Sequence, residues 1–276
     1  MTTRILTAVV GILIGVVILF FSETLIFNAA LALIALIIVR ELFQAAKCTT
    51  FKSAYLVCMF YVAVMPFLSL PSLRQYRYMF ATVCIFLLFI SYLYNFKTLH
   101  YDKLSFMVMA TTFVSLSIGC LVSIKDIDEV HGVFYVVLAL AGAWVADSAA
   151  YFVGTLLGRH KLAPDISPKK TVEGAVGAIL LTGIVLALLS FGYMKLQETQ
   201  NIYFDVNYTL VVVLGMACAV LGILGDLSAS LVKRQCQIKD YGHIMPGHGG
   251  MLDRFDSVLF VAPFINIMLQ YVLIFN

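Results

Sequence analysis

A chain of 276 residues that is 62% hydrophobic and only 12% charged lies far from soluble domains, which run at roughly 45–50% apolar and about 25% charged. The net charge of +3 is uninformative as a total, and no nucleic-acid partner is expected. Six cysteines without a CxxC pair or a His/Cys cluster argue against a disulfide framework or a structural zinc site.

A hydrocarbon core of about 30 Å needs near 20 apolar residues per spanning helix, and nine apolar segments can be marked off. In chain order they cover 5–21, 24–39, 54–70, 78–94, 104–124, 133–158, 171–194, 208–224 and 257–275. The first follows a single arginine and lacks a small-residue cleavage pattern, so it reads as a retained span rather than a removed signal peptide. Lys and Arg separate sharply between alternate connections: fourteen of the 18 fall in one set, and only Arg74, Arg77, Lys125 and Lys195 in the other. By the positive-inside rule the N-terminus is cytoplasmic, as are the connections 159–170 and 225–256. The expectation is therefore an all-α polytopic protein of the inner (cytoplasmic) membrane, with about nine transmembrane helices and a polar cavity facing the cytoplasm. Residues 1–132 supply about five spans for packing and oligomerisation. Residues 133–276 form a catalytic membrane region with cytoplasmic loops 159–170 and 225–256.

The chemistry concentrates in the last of these loops. Asp226, Lys233, Arg234, Lys239, Asp240, Asp253, Arg254 and Asp256 crowd one stretch, broken by five glycines and Pro246. Mg²⁺ takes oxygen ligands, usually one or two carboxylates plus phosphates and water, and a folded-back loop can bring Asp226 and Asp253 together as its ligands. Lys and Arg neutralise phosphate oxygens. The turn Pro246-Gly247-His248-Gly249-Gly250 can expose backbone N–H groups to an anion, with His248 as a further donor. Such parts suit phosphoryl or nucleotidyl transfer, where positioning and charge neutralisation carry most of the catalysis. A basic loop is also an ordinary topology signal, but that reading leaves Asp226, at the end of an apolar run, unexplained.

A second cluster runs from Gly158 to Gly174. Here Ser167-Pro168-Lys169-Lys170-Thr171 leads into a helix that Thr171 can cap and Glu173 can favour in its first turn. Lys169 and Lys170 are unfavourable at a helix N-terminus unless an anion lies nearby, and a phosphate would satisfy them. Third, Asp147 stands about 11 residues, roughly 17 Å, inside its span. It shares a small-residue helix face with Ala143, Ala150, Gly154 and Gly158. It reads either as the wall of a polar cavity or as a protonated acid bonded to a neighbouring helix.

At these residues the chain resembles the phosphatidate cytidylyltransferase (CDP-diacylglycerol synthase) family. The likeness runs from Ser230 through Lys233-Arg234, Lys239-Asp240, Gly242, Pro246, His248-Gly249-Gly250 and Asp253-Arg254 to Asp256. Gly225-Asp226-Leu227, Ser167-Pro168-Lys169-Lys170-Thr171 with Glu173-Gly174, and Asp147 with Ala150-Tyr151 support it. Met245 stands where Leu, Ile or Phe is usual, and Ala229 where many relatives carry Glu, so a metal shell here would be completed by Asp226, Asp253, substrate or water. The resemblance implies transfer of CMP from CTP to phosphatidic acid, giving CDP-diacylglycerol and pyrophosphate. In that scheme Asp226 and Asp253 hold Mg²⁺. Lys169, Lys170, Lys233, Arg234, Lys239 and Arg254 balance the phosphates with Ser167, Ser230 and His248, and Gly249 and Gly250 cradle the leaving pyrophosphate. Asp147 orders the metal shell or the polar funnel. The family further suggests a homodimer and a monovalent cation such as K⁺ beside Mg²⁺.

Two rivals are a secondary transporter, which would also use a deep aspartate and broken helices, and another membrane phosphotransferase. No inverted repeat is visible, the charges gather at one face rather than the midplane, and the Asp-Gly…Ala-Arg motif of CDP-alcohol transfer is missing from the sequence.

Overall fold

A computed structural model describes residues 2–244 and 249–275. The chain is mostly helical, and among the described residues six helices are long and apolar enough to cross a membrane. It is a multi-pass membrane protein that divides into two units, one of Met1–Ser123 with Lys233–Phe255, the other of Ile124–Val232 with Asp256–Asn276.

The first unit opens with α1 (Thr2–Phe20) and α2 (Leu25–Ala45). Ser22-Glu23-Thr24 separates them, and Thr24 Oγ1 caps α2 by accepting the Ile26 N–H at 3.2 Å. Then come α3 (Lys52–Val64), two single 3₁₀ turns (Phe67–Ser69 and Arg74–Tyr76), α4 (Arg77–Tyr94) and α5 (Tyr101–Lys125). The segment expected at 54–70 therefore stops as a helix at Val64, because Pro66 removes a backbone donor two residues on. Its carbonyl accepts from the buried Asn28 amide at 2.8 Å. Helix α2 is the centre of this unit, burying Phe27, Leu31, Ala35, Ile38, Val39 and Phe43 against α1, α3 and the short α9 (Leu252–Phe255). On α4, Phe86, Phe89, Ile90 and Leu93 are exposed, the composition of a face turned to lipid.

The second unit holds α6 (Gly132–Leu157), a two-stranded antiparallel ribbon of β1 (Lys161–Ala163) and β2 (Ser167–Thr171), α7 (Val172–Glu198), most of α8 (Tyr208–Gln235) and α10 (Val258–Tyr271). Two features depart from the sequence reading. The connection 159–170 is a β-ribbon rather than an open loop, its turn falling at Pro164-Asp165. The stretch from Gly225 is not loop either. Helix α8 runs eleven residues beyond the expected end at Leu224, because Leu227, Ala229, Leu231, Lys233 and Arg234 are sound helix formers that carry it past Gly225, and no proline intervenes. It stops where Gln237 takes a left-handed φ of 56°. At the far end of the chain Phe275 bridges to Val206 and stacks on Tyr135 with ring centroids 5.3 Å apart. His131 packs beside it at 4.7 Å, and burial holds its imidazole below the usual histidine range.

Small residues let the helices of this unit approach closely. A Cβ on Gly215 of α8 would come within 2.8 Å of Gly183 Cα and 3.0 Å of the Thr182 carbonyl on α7, whereas one on Gly192 would meet nothing within 4 Å. Gly215→Ala should therefore lower the thermal midpoint in detergent, by the roughly 1–3 kcal/mol typical of overpacking. Gly192→Ala should leave it unchanged or raised, and equal midpoints for the two variants would disprove the contact.

Candidate active site

Two clusters of charged side chains form, one in each unit. In the second unit the ribbon delivers Lys170. Thr171 ends β2 and caps α7, its Oγ1 accepting the Gly174 N–H at 3.2 Å. Glu173 in the first turn reaches back to the start of the ribbon, accepting the Arg159 N–H at 3.0 Å, the His160 N–H at 3.2 Å and a bond from His160 Nδ1 at 2.6 Å. With both ends of the ribbon pinned, the Lys170 ammonium ion-pairs with Asp226 Oδ2 on α8. Ser230, one turn further along α8, donates to Asp226 Oδ1 at 3.3 Å. The anion that Lys170 lacked in the sequence is thus supplied by the protein. Lys169 is exposed and Ser167 half-buried on β2.

Asp147, half-buried on α6, faces the buried Ser257, whose hydroxyl is shared between Asp147 Oδ2 (3.0 Å) and the Gly222 carbonyl (3.1 Å). Asp256 is buried, with Oδ1 accepting the Ser257 N–H at 2.8 Å. Of the two readings open for Asp147, the hydrogen bond to another element is present.

In the first unit Asp253, on α9 with a side chain 7% exposed, has both oxygens engaged. Oδ1 pairs with Lys233 at 2.8 Å. Oδ2 accepts the N–H groups of Tyr241 at 3.0 Å and Gly250 at 2.9 Å. Lys233 lies 5.6 Å over the Tyr241 ring, a cation–π contact that holds its stem. Gly249 takes φ of +85°, where a side chain would be strained. The Gly250 N–H is donated to Asp253, an acceptor three residues on that closes the turn locally. Arg234, Lys239 and Arg254 are exposed. His248 lies outside the described residues.

Each cluster therefore pairs one aspartate with one lysine: Asp226 with Lys170, Asp253 with Lys233. Carboxylate oxygens are hard donors of the kind a divalent cation takes, and a lysine ammonium is a donor of the kind a phosphate takes. Among the described residues no three His, Cys, Asp or Glu side chains group closely enough to form a metal cage of their own.

Sequence reasoning passed over Ser257 and Glu41. The signal for Glu41 was present: it and Glu23 are the only acids before Asp102, and an acid within an apolar run is usually functional.

Residues 2–272 match the model of the cytidylyltransferase family. The chain is 40% identical over 173 residues to a phosphatidate cytidylyltransferase of Bacillus subtilis, covering 63% of this chain and 61% of that protein. It is 38% identical over 181 residues to one from Staphylococcus saprophyticus, covering 64% and 65%, and 38% identical over 179 residues to one from Staphylococcus aureus, covering 63% and 64%. The matched part thus spans less than two thirds of each of these relatives.

The start of α7 is capped by the Thr171 hydroxyl. Thr171→Val should cost about 1 kcal/mol of stability, the usual worth of an N-cap, and speed amide exchange at Gly174. Thr171→Ser should restore both, and wild-type exchange in Thr171→Val would show that the cap carries nothing.

Proposed function

We propose, from the premise that the chain belongs to the cytidylyltransferase family, that it makes CDP-diacylglycerol and pyrophosphate from CTP and phosphatidic acid in phospholipid biosynthesis. The observation that carries this reading is the twofold pairing of an aspartate with a lysine, Lys170–Asp226 and Lys233–Asp253, within residues matched to the family. Identity to phosphatidate cytidylyltransferases of three bacteria supports the choice of substrates.

The nucleophile in this reaction is an oxygen of the phosphatidate phosphate monoester. It bonds to the α-phosphorus of CTP as the bond from that phosphorus to the bridging oxygen of pyrophosphate breaks. The nucleophile is already anionic, so the protein's task is to neutralise and orient charge rather than to remove a proton. Lys170 and Lys233 would exchange a carboxylate for phosphate oxygens. The exposed Lys169, Arg234, Lys239 and Arg254 would gather the triphosphate and the lipid phosphate, joined by Ser167, Ser230, His248 and the Gly249-Gly250 turn. Asp147, tied to Ser257, would order the metal shell or the polar funnel.

Asp226 and Asp253 would hold Mg²⁺, with K⁺ as a second ion beside it. The donors fit a hard cation: each carboxylate is ordered by a lysine and by Ser230 or backbone N–H groups, and Mg²⁺ needs only one or two carboxylates when phosphates and water complete its shell. Bound there, the ion would draw charge from the phosphate oxygens as a Lewis acid.

The membrane setting belongs to the same proposal. Nine spans would include α1, α3 and α10 beside the six longer helices. The charge bias of the connections favours the inner membrane, a cytoplasmic N-terminus and a polar cavity open to the cytoplasm. Residues 133–276 would be the catalytic region, and 1–132 would serve packing and homodimer formation.

The test is purified protein with phosphatidic acid and labelled CTP, scored by label in the lipid extract. Activity should require Mg²⁺ and vanish with EDTA. Asp226→Asn and Asp253→Asn should each lose about 10²-fold or more, the scale of a preorganised charge in an active site. No lipid product from wild type, or undiminished product from both variants, would overturn the reading.

A further inference from the structure

Helix α2 carries two charged residues, Arg40 and Glu41, in 21, and Glu41 is 2% exposed. A carboxylate taken that far from water needs compensating donors. Its donors come from 210 residues away in sequence: Met251 N–H reaches Glu41 Oε1 at 2.9 Å and Leu252 N–H reaches Oε2 at 2.8 Å. These are the two residues immediately before Asp253, and the N–H before them, that of Gly250, goes to Asp253 itself. Three successive amides are thus taken by two carboxylates, so the direction in which Asp253 leaves the backbone is set by where Glu41 stands.

The surrounding backbone is built around this carboxylate. A Cβ on Gly242 would lie 2.5 Å from Glu41 Oε1, and one on Gly250 would lie 2.6 Å from Oε1 and 2.7 Å from Oε2. Glu41 is buried and its carboxyl fills the space a Cβ would need at either position, so a side chain at Gly242 or Gly250 would have to push it off its amides.

We propose that Glu41 is a positioning residue for the reaction: it clamps the amides of Met251 and Leu252 and thereby aims Asp253 at its cation and Lys233. The inference rests on the role given to Asp253 above. It differs from simple capping of a four-residue helix because Asp253 is part of the segment that the clamp orders.

Glu41→Gln leaves one acceptor oxygen for two N–H donors and turns an NH₂ toward the other. In the full-length protein it should lower kcat by about 10–100-fold, as lost outer-shell partners of a metal ligand do. It should also raise the Mg²⁺ concentration for half-maximal rate, leave the KM for CTP within about 3-fold, and speed amide exchange at Met251 and Leu252. Gly250→Ala, which keeps Glu41 but displaces it, should reproduce these changes. In a Glu41→Ala background, adding Gly250→Ala should cost less than about 2-fold more, because the obstructed group is gone.

Wild-type kcat and Mg²⁺ dependence in both Glu41→Gln and Gly250→Ala, with Asp253→Asn inactive, would overturn the clamp while leaving the proposed reaction standing. Fully additive losses in the double variant would overturn it too, as would a fall in kcat that only tracks a fall in thermal midpoint. Full activity in Asp253→Asn would instead remove the role of Asp253, and this inference with it.

Discussion

A carboxylate in an apolar chain has to be matched by donors, and the irregular segments of this protein are arranged around that requirement. Burying an acid without a partner costs several kcal/mol, and each buried or half-buried acid named below is bonded to a residue of another segment. Asp226 draws the ribbon through Lys170. Asp253 draws the Tyr241 and Gly250 amides to itself. Glu41 draws the start of α9, and Asp147 draws Ser257 at the head of α10. The helices supply fixed points, and the non-helical backbone is held against them by ions and amides as well as by apolar contacts such as that of Leu162 of the ribbon with the core around Ala149, Ala178 and Ile223. Irregular backbone at membrane depth survives only where its polar groups are satisfied inside the protein.

That division explains what could be read from the sequence. Hydropathy depends on composition over about 20 residues, so the starts of α4, α6, α7 and α8 fall within a residue of expectation. The Thr171 cap and the place of Glu173 in the first turn were also legible, because capping is encoded within four residues. The end of α8 was not, since hydropathy carries no signal once the helix leaves its apolar run for Asp226, Lys233 and Arg234. Nor was the ribbon, whose five-residue strand contains a proline and two lysines and forms because both ends are tied down by Thr171 and Glu173. The residues of the candidate site were recognisable one by one, but their pairings were not. Nothing near Lys170 in sequence points to Asp226, and nothing near Glu41 points to Met251.

The pairings also show why spacing misleads about ligands. Read alone, Lys170 at a helix start asks for an external anion and the Gly249-Gly250 turn offers N–H groups to one. In the folded chain a protein carboxylate answers each. Each of these carboxylates is thereby paired with a lysine of the chain itself.

Charge balance has a consequence for how a triphosphate and a divalent ion would be accommodated. In each cluster a lysine and an aspartate neutralise one another. If the lysine turned to a phosphate oxygen and the aspartate to Mg²⁺, two ion pairs would be exchanged for two others. The net worth of such an exchange is small, since each new pair replaces one already made. Selectivity then rests on geometry: on how firmly the carboxylate is aimed while its partner changes. Asp226 is held by Ser230, one helical turn away, and Asp253 by two backbone amides whose own neighbours are fixed by Glu41. The oxygens that stay bonded during the exchange therefore decide whether the cation meets a preformed ligand or a mobile one, and in this fold they belong to α8 and to α2 with the segment it clamps.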